Sequence, residues 1–276
     1  MTQEKIPLEE WKKQKQQECK EILEKQKTEI RKVLTDGEVL ADFLYQKGRL
    51  GLDITIGNAA LILAEFPKAE KVKTLSDWKQ LSRWVKKGEK GIPIVVPRKK
   101  YWAVEHVFEA SQTHGQKLPV AKEKNLCRNA VERLIQLSPV PVMVNGVPEN
   151  EPVLFDADKK MICMDISMKT EEAICLLPKA LMEAQVEEME KGAGQKPLTQ
   201  FYAEGVSILL AGRFGLPMDA ESKKRLAVLI KQIDMEHGQA VLEEINRYAG
   251  IYEERIRPHP MKEKQKVNAV EQSNEL

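Results

Sequence analysis

The sequence has few of the residues that build metal centres and catalytic nucleophile sites. It contains four cysteines and four histidines among 276 residues. The cysteines form no CxxC pair, and no two histidines have the spacing of metal ligands, so a zinc ribbon or zinc finger is excluded. The sequence also lacks a P-loop, a GxGxxG fingerprint and a GxSxG elbow. Without these motifs, the sequence gives no reason to expect nucleotide hydrolysis, dinucleotide binding or serine-hydrolase chemistry.

Long apolar runs are also missing. No stretch approaches the ~20 apolar residues that a membrane-spanning helix needs. The first fifteen residues are polar and contain no apolar core segment, which predicts no secretory signal. Free thiols in a reducing compartment are the simplest account of four unpatterned cysteines. We therefore expect a cytoplasmic protein that makes no contact with a membrane.

Acidic residues are scarce between positions 71 and 100, where ten lysines and arginines accompany only two carboxylates. Four large aromatic residues lie among or beside them: Trp78, Trp84, Tyr101 and Trp102. Basic side chains neutralise phosphates, and aromatic rings stack on unpaired bases. This mixture favours single-stranded nucleic acid over duplex. The alternative from these residues alone is a solvated lysine-rich surface with tryptophans in the core.

The net charge of +2 conceals an asymmetry. Residues 149–257 hold twenty acids and fourteen bases, so the basic segment belongs to the N-terminal half. A nucleic acid would meet that half, while the C-terminal half faces away or serves another partner.

Apolar periodicity predicts helices in the first part of the chain at 8–34, 38–47 and 57–65. A fourth helix is predicted from a cap at Ser76 to Gly88, with Trp78, Leu81, Trp84 and Val85 on one apolar face. That spacing favours a core position for Trp78 and Trp84. Strands 92–96 and 102–110 are predicted to pair as a hairpin, with Arg98, Lys99 and Lys100 in its turn.

The second part begins in a proline-rich stretch. A helix is predicted near 125–137, and short strands near 140–144, 152–155 and 161–165. Four helices follow, at 170–190, 198–214, 219–234 and 238–256. We predict three segments: 1–137, 138–257, and a polar, disordered tail at 258–276.

Several spaced elements of the N-terminal part resemble one protein family. These are Asn58 in an apolar helix, Phe66-Pro67, Trp78, the run from Val85 to Ile92 that reads VKKGEKGI, and Val107-Phe108-Glu109-Ala110-Ser111-Gln112-Thr113. The pattern is similar to the N-terminal domain of ArdC-type antirestriction proteins and of LtrC-like proteins of mobile elements. Glu109 stands where that family usually has Asp. The resemblance implies sequence-tolerant binding of single-stranded DNA.

The helix at 170–190 and the next one resemble the metallopeptidase-like domain of the same family. There, one helix carries HExxH and a later helix supplies a Glu. In this chain Met182 and Val186 occupy the two histidine positions, while Glu183 matches the catalytic Glu and Glu204 the third ligand. Neither apolar side chain can supply an imidazole nitrogen to zinc. The resemblance therefore implies a metallopeptidase-like fold without metal, cofactor or catalysis. Glu183 is then either buried with a raised pKa, or simply exposed.

The expected fold class is α+β: a mixed helix and antiparallel-hairpin domain that binds single-stranded DNA, followed by a mainly helical domain lacking its zinc ligands. The expected function is antirestriction-like protection of DNA by occupancy, in a mobile or conjugative element. The first alternative is a module that docks a restriction or conjugation protein, with the basic patch only steering association. The second is an enzyme with an unorthodox metal site. The predicted nucleic-acid contacts are Lys73, Lys79, Arg83, Lys86, Lys87, Lys90, Arg98, Lys99, Lys100, Tyr101 and Trp102.

Overall fold

The computed structural model describes residues 7–118, 129–144, 147, 151–190, 196–232 and 235–258. Within them helices and sheets are mixed, which confirms the α+β class. The helices are α1 (Leu8–Val33), α2 (Gly37–Leu50), α3 (Ile56–Glu65), α4 (Leu75–Gln80), α5 (Ala130–Ile135), α6 (Thr170–Glu190), α7 (Lys196–Arg213), α8 (Ala220–Leu229) and α9 (Gly238–Ile256). The strands are β1 (Val72–Thr74), β2 (Arg83–Val85), β3 (Ile92–Pro97), β4 (Trp102–Glu109), β5 (Thr113–Gly115), β6 (Val142–Val144), β7 (Val153–Asp156) and β8 (Met161–Met164).

Helices α1 to α3 follow the predicted positions closely. The second half of α1 packs on α3 through buried residues such as Cys19, Ile22 and Ile30, whereas residues 9–17 are exposed. Asp36 begins α2, because its side chain accepts hydrogen bonds from the backbone N–H groups of residues 38 and 39. Leu23, which shares the helical spacing of the buried stripe, is exposed instead.

The predicted fourth helix is wrong beyond its first turns. Thr74, not Ser76, caps α4, and the helix ends at Gln80. Ser82 then adopts a left-handed conformation with φ of 53°, which a continuing helix does not allow. The following three residues form β2, which pairs antiparallel with β5. Helical spacing of apolar residues misled the sequence interpretation here, because the partner of β2 lies thirty residues further along the chain.

The predicted hairpin is confirmed. β3 pairs antiparallel with β4 from Ile92 opposite Val107 to Pro97 opposite Trp102. β1 pairs with the other side of β4, which gives the order β1-β4-β3. A second sheet of three strands follows, with β8 between β6 and β7. β6 runs parallel to β8, and β7 runs antiparallel to it.

The later helices also match their predicted positions, with small differences at the ends. α8 stops at Leu229 and continues as a 3₁₀ turn over Ile230–Gln232. The described part of the predicted 125–137 helix is α5, since residues 119–128 lie outside the described ranges. The predicted tail from residue 259 lies outside them too.

One continuous hydrophobic core joins the two halves of the chain. Buried apolar side chains form a single cluster from Cys19 in α1 to Ile256 in α9. α2 lies directly against α7, because Gly48 and Gly212 leave room for backbone: a Cβ on either would collide with the Leu209 or Tyr45 carbonyl. The buried ammonium of Lys47 adds a polar link by donating to Asn246 Oδ1 at 2.8 Å. The boundary at residue 137 stays a prediction, but the core continues across it.

The described helices include none that is both long enough and apolar enough to cross a membrane.

Candidate functional site

The tip of the β3–β4 hairpin, residues 98–102, concentrates exposed basic and aromatic side chains. Tyr101 is 67% exposed and Trp102 is 59% exposed, and Lys99 and Lys100 are exposed beside them. Arg98 forms an ion pair with Glu105 of β4, so part of its charge is already neutralised. The predicted placement of this group in the hairpin turn is confirmed. We call residues 98–102 the hairpin tip.

A second group of predicted contacts lies around β2 and the turn that follows it. Lys86, Lys87 and Lys90 are exposed there. Trp84 is 50% exposed, and its ring centroid lies 6.3 Å from that of His114 on β5, in a tilted arrangement. A core position for Trp84 is therefore wrong: it presents a ring face beside the lysines. We call Trp84, Lys86, Lys87, Lys90 and His114 the β2–β5 surface.

The two groups lie at opposite ends of β4. Trp102 begins the strand, and Phe108, six residues later, pairs with Lys73 near α4. At ~3.4 Å per residue this separates the groups by roughly 20 Å. Lys79 of α4 is exposed at the second end, and Lys73 is half-buried there. The predicted contacts thus form two patches, which a flexible chain could connect, rather than one continuous patch.

Arg83 is the predicted contact with the most hydrogen bonds to the fold, although Lys86 Nζ also donates to the Ser111 carbonyl at 2.7 Å. Nε donates to Thr113 Oγ1 at 2.8 Å, and the two Nη groups donate to the carbonyls of Gln116, Ala110 and Thr113. The same group stacks over Trp78 at 5.7 Å from the ring centroid. Arg83 therefore has a structural role, and its predicted contact with nucleic acid stays a prediction.

Trp78 is fully buried, as predicted. Its Nε1 donates to the Phe108 carbonyl at 2.9 Å, which satisfies the one polar atom that burial would otherwise leave unpaired. Trp78 therefore holds α4 against β4 and takes no part in a surface. Trp78 is buried and Trp84, six residues later, is half exposed, because the chain changes from helix to strand between them.

The Ser-Gln-Thr motif at 111–113 shapes the lysine-rich turn. Buried Gln112 donates through Nε2 to Glu89 Oε2 at 3.0 Å and to the Lys90 carbonyl at 2.9 Å. Its Oε1 accepts from the backbone N–H of Glu109 at 2.8 Å. Glu109, in the position where Asp is usual, accepts from the Ser111 N–H and so completes a capping box. These bonds fix the turn that carries Lys86, Lys87 and Lys90.

Asn58 has a comparable structural role beneath β3. Its Nδ2 donates to the Val95 carbonyl at 2.9 Å, and its Oδ1 accepts from the Val95 N–H at 3.0 Å and from Gln26 at 2.8 Å. The Asn58 side-chain amide thereby pairs with the backbone of β3, as the backbone of a neighbouring strand would. The sequence indicated that Asn58 is part of the motif. Its structural role depends on its contact with Val95, which lies 37 residues further along the chain.

The residues that resemble a metallopeptidase site lie at a cleft of about 650 Å³ between α6, α7, α8 and β7. Glu183 and Glu204 line it. Met182 is buried in the core on another side of α6, and Val186 is half-buried. Apolar packing around these two side chains does not fill the cleft, because neither of them lines it.

Lys179 lies next to Glu204 in the cleft. Its Nζ lies 2.7 Å from Glu204 Oε2, and both side chains are almost completely buried. Nζ also donates to Ser222 Oγ at 2.6 Å. Arg225 adds a second cation, with Nη1 at 3.5 Å from Glu204 Oε1. The donor set therefore does not fit a tetrahedral zinc site: two imidazoles are missing and an ammonium neutralises the remaining carboxylate.

Glu183 lies in the same cleft, half-buried, with no hydrogen bond or ion pair to its carboxylate among the described residues. Burial, together with the nearby Glu204 carboxylate, raises the pKa of Glu183 to about 7, and the charges of Lys179 and Arg225 offset only part of the rise. Its environment therefore lies between the two alternatives: a raised pKa at a half-buried position. Across the described part of the chain, no group of three or more His, Cys, Asp or Glu side chains could hold a metal ion.

Comparison with known proteins supports the resemblance seen in the motifs. Residues 51–126 match the family model of the N-terminal domain of the anti-restriction factor ArdC. A search of curated proteins found no match to the chain.

Two solved structures are similar, both of the antirestriction protein ArdC from plasmid R388. The metal-free form is 17% identical, with a TM-score of 0.45, over 73% of this chain and 84% of that one. The Mn(II)-bound form is 18% identical, with a TM-score of 0.45, over 72% of this chain and 87% of that one. The sequence match at 51–126 coincides with the segment that carries β1 to β5, the hairpin tip and the β2–β5 surface. Residues 51–126 are thus similar to the N-terminal domain of the anti-restriction factor ArdC.

Proposed function

We propose that this chain binds single-stranded DNA without sequence preference, through the hairpin tip and the β2–β5 surface. The observation that carries the proposal is the exposure of three aromatic rings among lysines. Trp84, Tyr101 and Trp102 present open faces, and the neighbouring Lys87, Lys99 and Lys100 have no ion-pair partner among the described residues. Rings of this kind stack on unpaired bases, and free ammonium groups bind the phosphates between them.

The proposed mode of action is occupancy. A strand that connects the two patches covers roughly 20 Å of β4, a length within the site sizes of about 4–16 nucleotides known for single-strand-binding folds. A restriction enzyme needs the same DNA, so a bound strand is protected without any bond being broken. The ArdC-type domain supports an antirestriction role in a mobile element. The proposal includes no catalysis, since Met182 and Val186 leave the metallopeptidase-like positions without imidazole.

An oligonucleotide titration tests the proposal. Mixed-sequence single-stranded DNA, duplex DNA and RNA of equal length are titrated at several salt concentrations. We expect single-stranded DNA to bind most tightly. The logarithm of its binding constant, plotted against the logarithm of the salt concentration, should fall with a slope of about −0.7 for each neutralised phosphate. Lys86→Glu with Lys87→Glu should weaken binding of all sequences alike and flatten the slope.

The matched control makes the same charge change in the other half of the chain, at the exposed Lys169 and Lys231. Lys169→Glu with Lys231→Glu should leave affinity and slope nearly unchanged. If both double variants lose affinity equally, only net charge matters and the β2–β5 surface is not the interface. Equal binding of duplex and single-stranded DNA would contradict the stacking part of the proposal.

The aromatic rings have their own test. Trp84→Ala and Trp102→Ala should each lose ~1–3 kcal/mol of binding to single-stranded DNA while the protein keeps its thermal stability. Loss of stability in either variant would show that its ring is part of the core. The docking alternative predicts instead that neither tryptophan affects DNA binding.

A further inference from the structure

The three-stranded sheet β6-β8-β7 has one face in the core and one face toward solvent. On β8, Ile162 and Met164 are buried, whereas Met161 and Cys163 are only partly buried. Successive side chains of a strand point to opposite faces, so Met161 and Cys163 share the outer face. Met143 of β6 pairs with Cys163 in the sheet and is 50% exposed. The outer face therefore carries two thioethers and a thiol on adjacent strands.

Cys163 is the common neighbour of both methionines. Hydrogen-bonded strands lie ~4.8 Å apart, and this spacing separates the backbones of Met143 and Cys163. Met161 precedes Cys163 by two residues on β8, which is roughly 7 Å along the strand. A methionine side chain is unbranched and turns about three bonds, so its sulfur reaches positions that a branched side chain does not. Both thioethers can therefore meet the Cys163 thiol around one ion.

Two carboxylates near this face are already used by the fold. Asp156 of β7, opposite Met161 in the sheet, pairs with Lys159 Nζ at 3.0 Å and accepts from the Lys159 backbone N–H. Asp165, directly after β8, accepts from the backbone N–H and the hydroxyl of Ser167. Mg²⁺ and Ca²⁺ depend on oxygen ligands such as carboxylates. A hard cation would have to displace these bonds, whereas an ion held by sulfur leaves them intact.

Sulfur ligands of this kind distinguish between metal ions. Thiolate and thioether sulfur is soft and selects Cu(I), whereas carboxylate, carbonyl and water ligands suit harder divalent ions. Structural zinc sites take four ligands from cysteine, histidine or a carboxylate, and thioethers are not among them. One thiol with two thioethers therefore matches Cu(I) better than Zn²⁺. Packing alone does not account for the three sulfur side chains, because a solvent-facing sheet surface is ordinarily polar.

We propose that Met143, Met161 and Cys163 form a binding site for Cu(I). The ion displaces the proton of the Cys163 thiol, which passes to solvent, and bonds to the resulting thiolate. Each thioether donates one lone pair, which completes three sulfur ligands. Copper remains monovalent throughout, so the step needs no oxidant or reductant. Because a proton leaves, the affinity rises with pH. The site does not depend on the proposed binding of DNA.

A competition titration tests the site. The full chain, reduced and free of metal, competes under anaerobic conditions for Cu(I) held by bicinchoninate, whose copper complex is coloured. We expect the chain to withdraw one equivalent of Cu(I) and the Cys163→Ser variant to withdraw none. Met143→Leu and Met161→Leu should each raise Kd at least about tenfold, since even the loss of a residue that supports a metal ligand costs about that much. Cys175→Ser and Met218→Leu remove sulfur outside this sheet and should bind Cu(I) as the unmodified chain does.

Thermal unfolding separates the loss of a ligand from misfolding. Without copper, Met143→Leu and Met161→Leu should unfold as the unmodified chain does, because leucine nearly conserves the volume of methionine. With Cu(I), the unmodified chain and the two controls should gain stability and these variants should gain less. One equivalent of Cu(I) retained by Cys163→Ser, or equal losses in Cys163→Ser and Cys175→Ser, would overturn the site. Unchanged affinity in both Met→Leu variants would also overturn it, as would equally tight binding of Zn²⁺. None of these measurements contains DNA, so this proposal and the proposed function succeed or fail separately.

Discussion

Glu183→Gln should stabilise the protein, and the gain should depend on pH. Burial raises the pKa of Glu183 from its ordinary 4.5 to about 7, because the charged form loses hydration in the cleft and is repelled by Glu204, and the charges of Lys179 and Arg225 offset only part of this. Glutamine has nearly the same shape and carries no charge at any pH. The substitution therefore removes an electrostatic cost while it keeps the packing on α6.

The direction follows from proton linkage. A carboxyl with a raised pKa keeps its proton longer in the folded chain than in the unfolded chain. Folding stability is then lost as pH rises through the window from 4.5 to about 7. At 1.36 kcal/mol per pKa unit the full loss is ~3 kcal/mol, of which roughly 2.5 kcal/mol accumulates between pH 5 and pH 8. The Glu183→Gln variant does not lose this stability, because glutamine does not ionise.

Urea unfolding of the chain and of the variant at pH 5 and pH 8 measures the effect. The variant should exceed the unmodified chain in free energy of unfolding by about 2–3 kcal/mol more at pH 8 than at pH 5. Glu254→Gln, on an exposed face of α9, should show no such difference between the two pH values. An equal change at both pH values would refute a raised pKa and would mean that Glu183 is compensated by a neighbour.

Three other experiments test the structural roles assigned above. Trp78→Ala should lower the free energy of unfolding by ~3–5 kcal/mol in urea, and a smaller loss would show that the ring is not a core anchor. Asn58→Ala leaves the backbone N–H and carbonyl of Val95 without their partner, so it should lower the free energy of unfolding by ~1–3 kcal/mol in the same assay. No change would mean that water replaces the amide. Met182→His with Val186→His should bind no zinc by metal analysis, with or without Lys179→Met, because residues 182 and 186 do not line the cleft that holds Glu204; one equivalent of zinc in either variant would contradict this.

Local patterns predicted most of the secondary structure. The four late helices and the β3–β4 hairpin lie where periodicity and turn residues placed them. Local signals suffice there because a helix satisfies its own hydrogen bonds and a hairpin pairs with the next segment. β2 was missed for the opposite reason: its partner, β5, is distant in sequence, and the spacing of its residues also fits a helix.

The same difference between local and long-range contacts explains which features of the candidate sites were predictable. The exposed position of Tyr101 and Trp102 was predictable, since a short hairpin turn projects its residues into solvent. The roles of Trp84 and Arg83 were not predictable, because both depend on the pairing of β2 with β5. The cleft was also missed, because the sequence indicated only that Met182 and Val186 replace ligands.

The sequence by itself determined the α+β class, the basic and aromatic segment, and the apolar identity of residues 182 and 186, where the resembled family has histidines. These properties depend on composition, short-range periodicity and the identity of single residues. Only the tertiary structure decided which aromatic rings are exposed, which basic groups are used internally, and that Lys179 forms an ion pair with Glu204 while Glu183 forms none among the described residues. Those properties depend on the distances and burial of residues far apart in the chain, which a linear pattern does not contain.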